Sequence, residues 1–141
     1  MTTRVLWLRR DLRLSDHPAL AAAGADGEVV GLFVVDPRLW DGAGPARRAW
    51  VAASVRALQE ATGDALVVRI GAPATVVPEV AAAAGASTVH VTAETTPGGR
   101  ARDARVAAAL AERGMVGQPD GTPYAVAPGS VTALVGESGS G

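Results

Sequence analysis

The run Val5-Leu6-Trp7-Leu8 constrains this chain more than any other stretch. Successive side chains of a strand point to opposite faces. Four consecutive apolar residues therefore predict a strand covered on both sides, as at the centre of a parallel sheet. The character then changes abruptly. Arg9, Arg10, Asp11 and Arg13 fall within five positions, and Ser15-Asp16-His17-Pro18 opens a helix. Charges at the carboxyl end of a central strand stand where open α/β sheets bind ligands. Charge clustering alone fits a solvated loop equally well.

Downstream, strand and helix signals alternate. Asp16 or His17 can cap a short helix through about Ala23, with Pro18 in its first turn and Gly24 ending it. Residues 28–35 (E-V-V-G-L-F-V-V) read as a second buried strand closed by Asp36-Pro37, and residues 38–44 as a loop. Pro45 starts the longest helix, to about Thr62, with Val51, Val55 and Leu58 on one face and Arg48, Arg56 and Glu60 in water. A third strand lies within residues 64–70, and a turn and helix within 71–85, where Val76, Val77 and Val80 face inward. Pro78, lacking a backbone donor, must lie near that helix start or bend it. Residues 88–92 form the fourth strand, 93–99 a polar loop, and 100–113 an Ala- and Arg-rich helix. Met115-Val116 can add a short edge strand. The alternation predicts an α/β fold, a Rossmann-like doubly wound parallel sheet of about five strands in the order 3-2-1-4-5.

Composition bounds the function. The 141 residues suit one domain with a real core, and a net charge of −1 carries no basic excess for nucleic-acid binding. Cysteine is absent, which removes disulfides, thiol catalysis and thiolate metal sites. With two histidines, no zinc spacing exists either, so no metal is expected. All 13 basic residues are Arg, read here as compositional bias before function. No basic segment followed by a long apolar one opens the chain, and no apolar run approaches about 18 residues. A cytoplasmic location without membrane contact is expected.

Several motifs fail on inspection. The tail V-T-A-L-V-G-E-S-G-S-G imitates the start of a phosphate-binding P-loop, but the required Lys, Ser or Thr, and following helix are missing; residues 132–141 read as a flexible or truncated tail. There is no G-x-S-x-G elbow, and His90 lies in an apolar strand as a core or edge residue rather than a base. No G-x-G-x-x-G follows the first strand. Trp7, Trp40 and Trp50 are expected in the core. What remains is a ring of polar groups at the carboxyl ends of strands one, two and four: residues 9–13 with Arg10 among them, Asp36, Arg47, Glu94, Gly98 and Gly99. The strand order brings these loops to one crevice, a ligand pocket.

The segment V-L-W-L-R-R-D-L-R-L-S-D-H-P-A-L resembles the opening signature of the DNA photolyase and cryptochrome family. G-L-F-V-V-D-P at 31–37, G-P-A-R-R-A at 44–49 and A-E-T-T-P-G-G-R-A-R-D at 93–103 extend the likeness to about Val131. The resemblance implies an N-terminal α/β domain, residues 1–131, that holds a light-harvesting antenna chromophore. In that family a larger helical domain follows and binds FAD and damaged DNA; its residues have no counterparts in this chain. The resemblance further implies 8-hydroxy-5-deazaflavin, with a reduced folate or FMN as alternatives. It places Phe33, Val34 and Val35 beside the ring, Asp36 and Arg47 at the pocket, and Glu94 as the accepting carboxylate. Gly98-Gly99 replaces the Asn-Glu of the folate class.

The expected role is chromophore binding rather than catalysis by this chain alone, with pyrimidine-dimer repair belonging to a complete family member. The expected partners are a small-molecule chromophore and a separate or missing helical FAD domain, with no direct DNA binding. Two alternatives stand beside it: an independent nucleotide-binding α/β module, since fold does not dictate function, and a nonfunctional fragment.

Overall fold

The computed structural model describes residues 2–9, 12–15, 18–24, 27–86, 88–92, 96–119 and 133–134. In chain order these form β1 (Thr2–Leu8), α1 (Pro18–Ala23), β2 (Gly27–Val35), α2 (Pro37–Asp41), α3 (Pro45–Ala61) and β3 (Val67–Ile70). They continue as α4 (Pro73–Ala83), β4 (Thr88–Thr92), α5 (Pro97–Glu112), β5 (Val116–Pro119) and β6 (Ala133–Leu134). The sheet runs β3-β2-β1-β4-β5, with every pairing parallel. This is the expected α/β order, and β1 is central. Asp16 and His17, the expected caps of α1, lie outside the described residues.

The strand period sorts the core into two layers. Val5 and Trp7 of β1 pair with Val30 and Leu32 of β2, and together with Val89 and Val91 they pack beneath α4 and α5. The intervening Leu6 and Leu8 face the other way, onto Leu20 of α1, Val55 and Leu58 of α3, and Leu66. Residues 5 to 8 are each at most 2% exposed, so the opening run is covered on both sides as its composition demands. Val76 and Val77 are buried, with Val80 partly buried against the same layer.

Several local readings need correction. Residues 37–41 are a helix rather than loop: Asp36 caps it, its Oδ1 accepting from the Arg38 N–H at 3.0 Å, and Pro37 fills the first position. An acidic cap followed by proline starts a helix as readily as it ends a strand. The same device moves the start of α5 forward, with Thr96 Oγ1 accepting from Gly99 N–H at 3.0 Å and Pro97 first, so Gly98 and Gly99 belong to the helix. Pro78 lies inside α4, buried, while Pro73 holds its first turn. Trp7 is core, Trp40 is half-buried, and Trp50 is 59% exposed on α3 against expectation. Arg48 is not simply solvated; it donates through Nε to the Trp40 carbonyl at 2.9 Å and through Nη2 to that of Asp41 at 3.0 Å. In the expected tail, Ala133 and Leu134 pair with Val91 and Thr92 of β4, and residues 135–141 lie outside the description. No helix among the described residues is long and apolar enough to cross a membrane.

Candidate functional site

The sheet reverses direction at its centre. The first connections step outward from β1 to β2 to β3, and the next crosses back to β4 on the other side. Loops leaving β1 and β4 therefore diverge, and a crevice opens at their carboxyl ends. A cavity of about 580 Å³ occupies that edge, within the roughly 300–1,000 Å³ of small-molecule sites. It reaches from the end of β1 across the end of β2 to the starts of α3, α4 and α5.

Its floor is apolar and aromatic, formed by Trp7, Phe33 and Val34, with Trp40 and Val51 at the side. Phe33 and Val34 are consecutive in one strand and point to opposite faces, so the cavity wraps the end of β2 rather than meeting a single wall. Beside the floor stands Arg9, its Cζ 4.7 Å from the Trp7 ring centroid. Arg9 also pairs with Asp103 on α5 through Nη1 and donates through Nη2 to the Thr92 carbonyl at the end of β4. One guanidinium thus joins β1, β4 and α5. The Arg9 and Asp103 side chains are only about a tenth exposed, 10% and 11%.

The mouth is cationic. Arg38, Arg47, Arg48, Arg102 and Arg105 line it, with Asp36 as the single carboxylate of the lining among the described residues. Gly98 leaves its wall open: a Cβ added there would meet nothing within 4 Å. Of the polar ring read from the sequence, Arg9, Asp36, Arg47, Gly98 and Gly99 line this cavity, and so do Phe33, Val34 and Val35, the residues implied by the resemblance. Glu94 and Arg10 lie outside the described residues.

Sequence reasoning missed Trp7, Arg38, Trp40, Arg102 and Arg105 as lining groups. For α5 the signal was present. Positions 98, 102 and 105 follow the spacing that places residues on one helix face. Asp103 as the partner of Arg9, 94 positions away, had no local signal. His90 is buried in β4, away from the lining. Its pKa is lowered from 6.5 to about 4, mainly because burial disfavours the imidazolium and secondarily because Arg4 is nearby. It is a core histidine. Among the described residues no group of three or more His, Asp or Glu could hold a metal ion. Among the described residues the cavity lining contains no histidine.

The DNA photolyase family model matches residues 4–137. The chain is 50% identical over 109 residues to a deoxyribodipyrimidine photo-lyase of Thermus thermophilus, covering 75% of this chain and 26% of that protein. It is 39% identical over 126 residues to a cryptochrome DASH of Natronomonas pharaonis, covering 82% and 27%. A Synechocystis cryptochrome crystal structure superposes with a TM-score of 0.76 at 28% identity, covering 82% of this chain and 26% of that one. The chain therefore spans about a quarter of the length of these relatives.

Proposed function

The chain belongs to the DNA photolyase family, as its N-terminal α/β domain, and on that premise we propose that it holds a planar light-harvesting chromophore at the carboxyl edge of its sheet. The observation that carries this reading is the cavity of about 580 Å³ at the switch point, with an aromatic floor and a cationic mouth. A flat ring system gains from apolar burial below, and a few placed polar groups orient its edge. Phe33 and Val34 flank the ring, and Val35 and Asp36 border it at the end of β2. Arg47, at the start of α3, offers a permanent cation whose plane can stack on a ring or pair with an anionic oxygen. Gly98 leaves the α5 wall open to the ring, with Gly99 lining the cavity beside it, and Glu94 and Arg10 complete the polar edge in the proposal.

The ring system proposed is 8-hydroxy-5-deazaflavin, because Gly98-Gly99 stands where the folate class carries Asn-Glu. In a complete family member the absorbed energy would drive the FAD chemistry of the helical domain, on dimer-containing DNA. The test is a titration of the purified chain with 8-hydroxy-5-deazaflavin and with a reduced folate, read by absorbance shift and polarisation. Deazaflavin is expected to bind with a Kd near 1 μM or weaker, about −8 kcal/mol. Glu94→Gln should weaken binding by roughly tenfold if the carboxylate accepts from the ring. Folate binding without a deazaflavin response would reassign the ring system. No response to either by a folded sample would refute the reading.

A further inference from the structure

Both tryptophans of the cavity wall lie under an arginine. Trp7 and Trp40 line the cavity, and Trp50 does not. The Arg9 Cζ stands 4.7 Å from the Trp7 ring centroid, and the Arg48 Cζ 5.6 Å from that of Trp40. No guanidinium lies over Trp50 among the described residues. Hydrogen bonds hold both cations in place. Arg9 donates through Nη2 to the Thr92 carbonyl, and Arg48 through Nε and Nη2 to the carbonyls of Trp40 and Asp41. A guanidinium keeps its proton in a protein, so each of these charges is permanent. The Asp103 carboxylate offsets part of the charge at Arg9, whereas Arg48 forms no ion pair among the described residues.

A light-harvesting site has a requirement that ordinary binding lacks. The excited ring must keep its energy until that energy is passed on. An excited planar heterocycle is a one-electron oxidant, and indole gives up an electron more readily than any other side chain of this lining. Transfer of one electron from Trp40 would leave an indole radical cation and a one-electron-reduced ring. Return of the electron would restore both and release the energy as heat, with no bond or proton changed. A fixed cation attracts the electron-rich face of a neutral indole but repels the radical cation, so it makes that oxidation harder.

We propose that Arg48, assisted by Arg9, raises the oxidation potential of the cavity tryptophans, so that these walls can hold an excited ring without quenching it. The proposal rests on the chromophore-binding reading of the same cavity and concerns the fate of the absorbed energy rather than affinity.

The test measures the fluorescence lifetime of 8-hydroxy-5-deazaflavin bound to the purified chain at saturation, with transient absorption to detect the indole radical. Arg48 is the position to vary, because its removal strands no carboxylate partner among the described residues. Arg48→Met should shorten the bound lifetime by about twofold or more and raise the indole radical signal. Arg48→Lys keeps a cation without the guanidinium fork and should retain most of the lifetime. Removing the electron donor as well, in Arg48→Met/Trp40→Phe, should abolish the shortening. An unchanged lifetime in Arg48→Met would overturn the proposal and leave chromophore binding standing. Equal shortening in Arg48→Lys, or shortening that persists without Trp40, would also overturn it, by assigning the effect to a displaced wall. A ligand-free measurement reads the same property. In a Trp50→Phe background, with Trp7 buried and Trp40 half-buried, photo-excited riboflavin in solution should oxidise Trp40 faster in Arg48→Met than in Arg48→Lys. Equal rates would overturn the proposal. Failure of the folded chain to bind the deazaflavin would overturn both the proposal and the reading beneath it.

Discussion

The two sides of the cavity use the same residue type in opposite ways. At the β1–β4–α5 corner, Arg9 lies against Trp7, pairs with Asp103 and caps the Thr92 carbonyl, largely out of solvent. At the α2–α3 mouth, Arg38 and Arg47 are exposed and without carboxylate partners among the described residues. The first arginine completes the protein's own architecture. The second pair faces outward. A buried charge must be matched from within the fold, whereas an exposed one at a concave edge is available to something that arrives later. A roll of arginines near a sheet edge therefore does not show which of them can serve a ligand; their partners do.

The largest expected effect breaks the closed corner. Asp103→Ala leaves Arg9 in a mostly buried site without its counter-charge, and should destabilise the domain by about 3 kcal/mol in urea unfolding. Arg47→Ala on the open side should change stability by less than about 0.5 kcal/mol. Similar values for the two would erase the distinction. Replacing both partners, Arg9→Met with Asp103→Leu, should recover part of the loss, because an apolar pair needs no counter-charge although the Thr92 carbonyl loses its Arg9 donor.

The second prediction extends the rule to a buried titratable group. His90 titrates at about 4 when folded and near 6.5 when unfolded, owing to burial and then to Arg4. Its folded value is the lower one, so acid protonates the unfolded chain first. The contribution is complete above pH 6.5 and shrinks by up to about 1.4 kcal/mol per pH unit as pH falls towards 4. Unfolding of the native chain compared with His90→Gln across that window should show a slope difference of this sign. Parallel curves would contradict it.

How much of this was legible beforehand follows from the range of each signal. The double burial of residues 5–8 and the strand order were readable because local periodicity and parallel connectivity determine both. Residues 37–41 were misread because Asp-Pro serves equally as a strand end and a helix cap. The burial habits of tryptophan point Trp50 to the core, but its position on α3 faces away from the sheet side held by Val55 and Leu58. That Asp36, Arg47, Gly98 and Gly99 share one cavity was legible from the strand order, whereas Phe33, Val34 and Val35 were implied by the family resemblance. The engagement of Arg9 did not, because its partner is 94 residues away and carries no local mark.

A third, smaller effect sharpens the open side. Arg47→Ala should weaken chromophore binding by roughly tenfold, about 1.4 kcal/mol, while urea unfolding stays unchanged. A loss of binding that tracks a loss of stability would place Arg47 with Arg9 as a structural group. The smallest effect is at Trp50. Its 59% exposure predicts that Trp50→Phe alters stability by less than about 0.5 kcal/mol.

That neutral change enables the most direct test of the central claim, that the cavity is a chromophore site. Trp7 and Trp40 both line it, and Trp50 does not. In the Trp50→Phe variant the remaining tryptophan emission therefore reports on the cavity alone. Titration with 8-hydroxy-5-deazaflavin, and separately with a reduced folate, should quench most of that emission saturably for the deazaflavin, with a Kd near 1 μM or weaker. A folded variant whose emission falls only in linear proportion to added ligand absorbance, with no saturation for either ligand, would contradict the account.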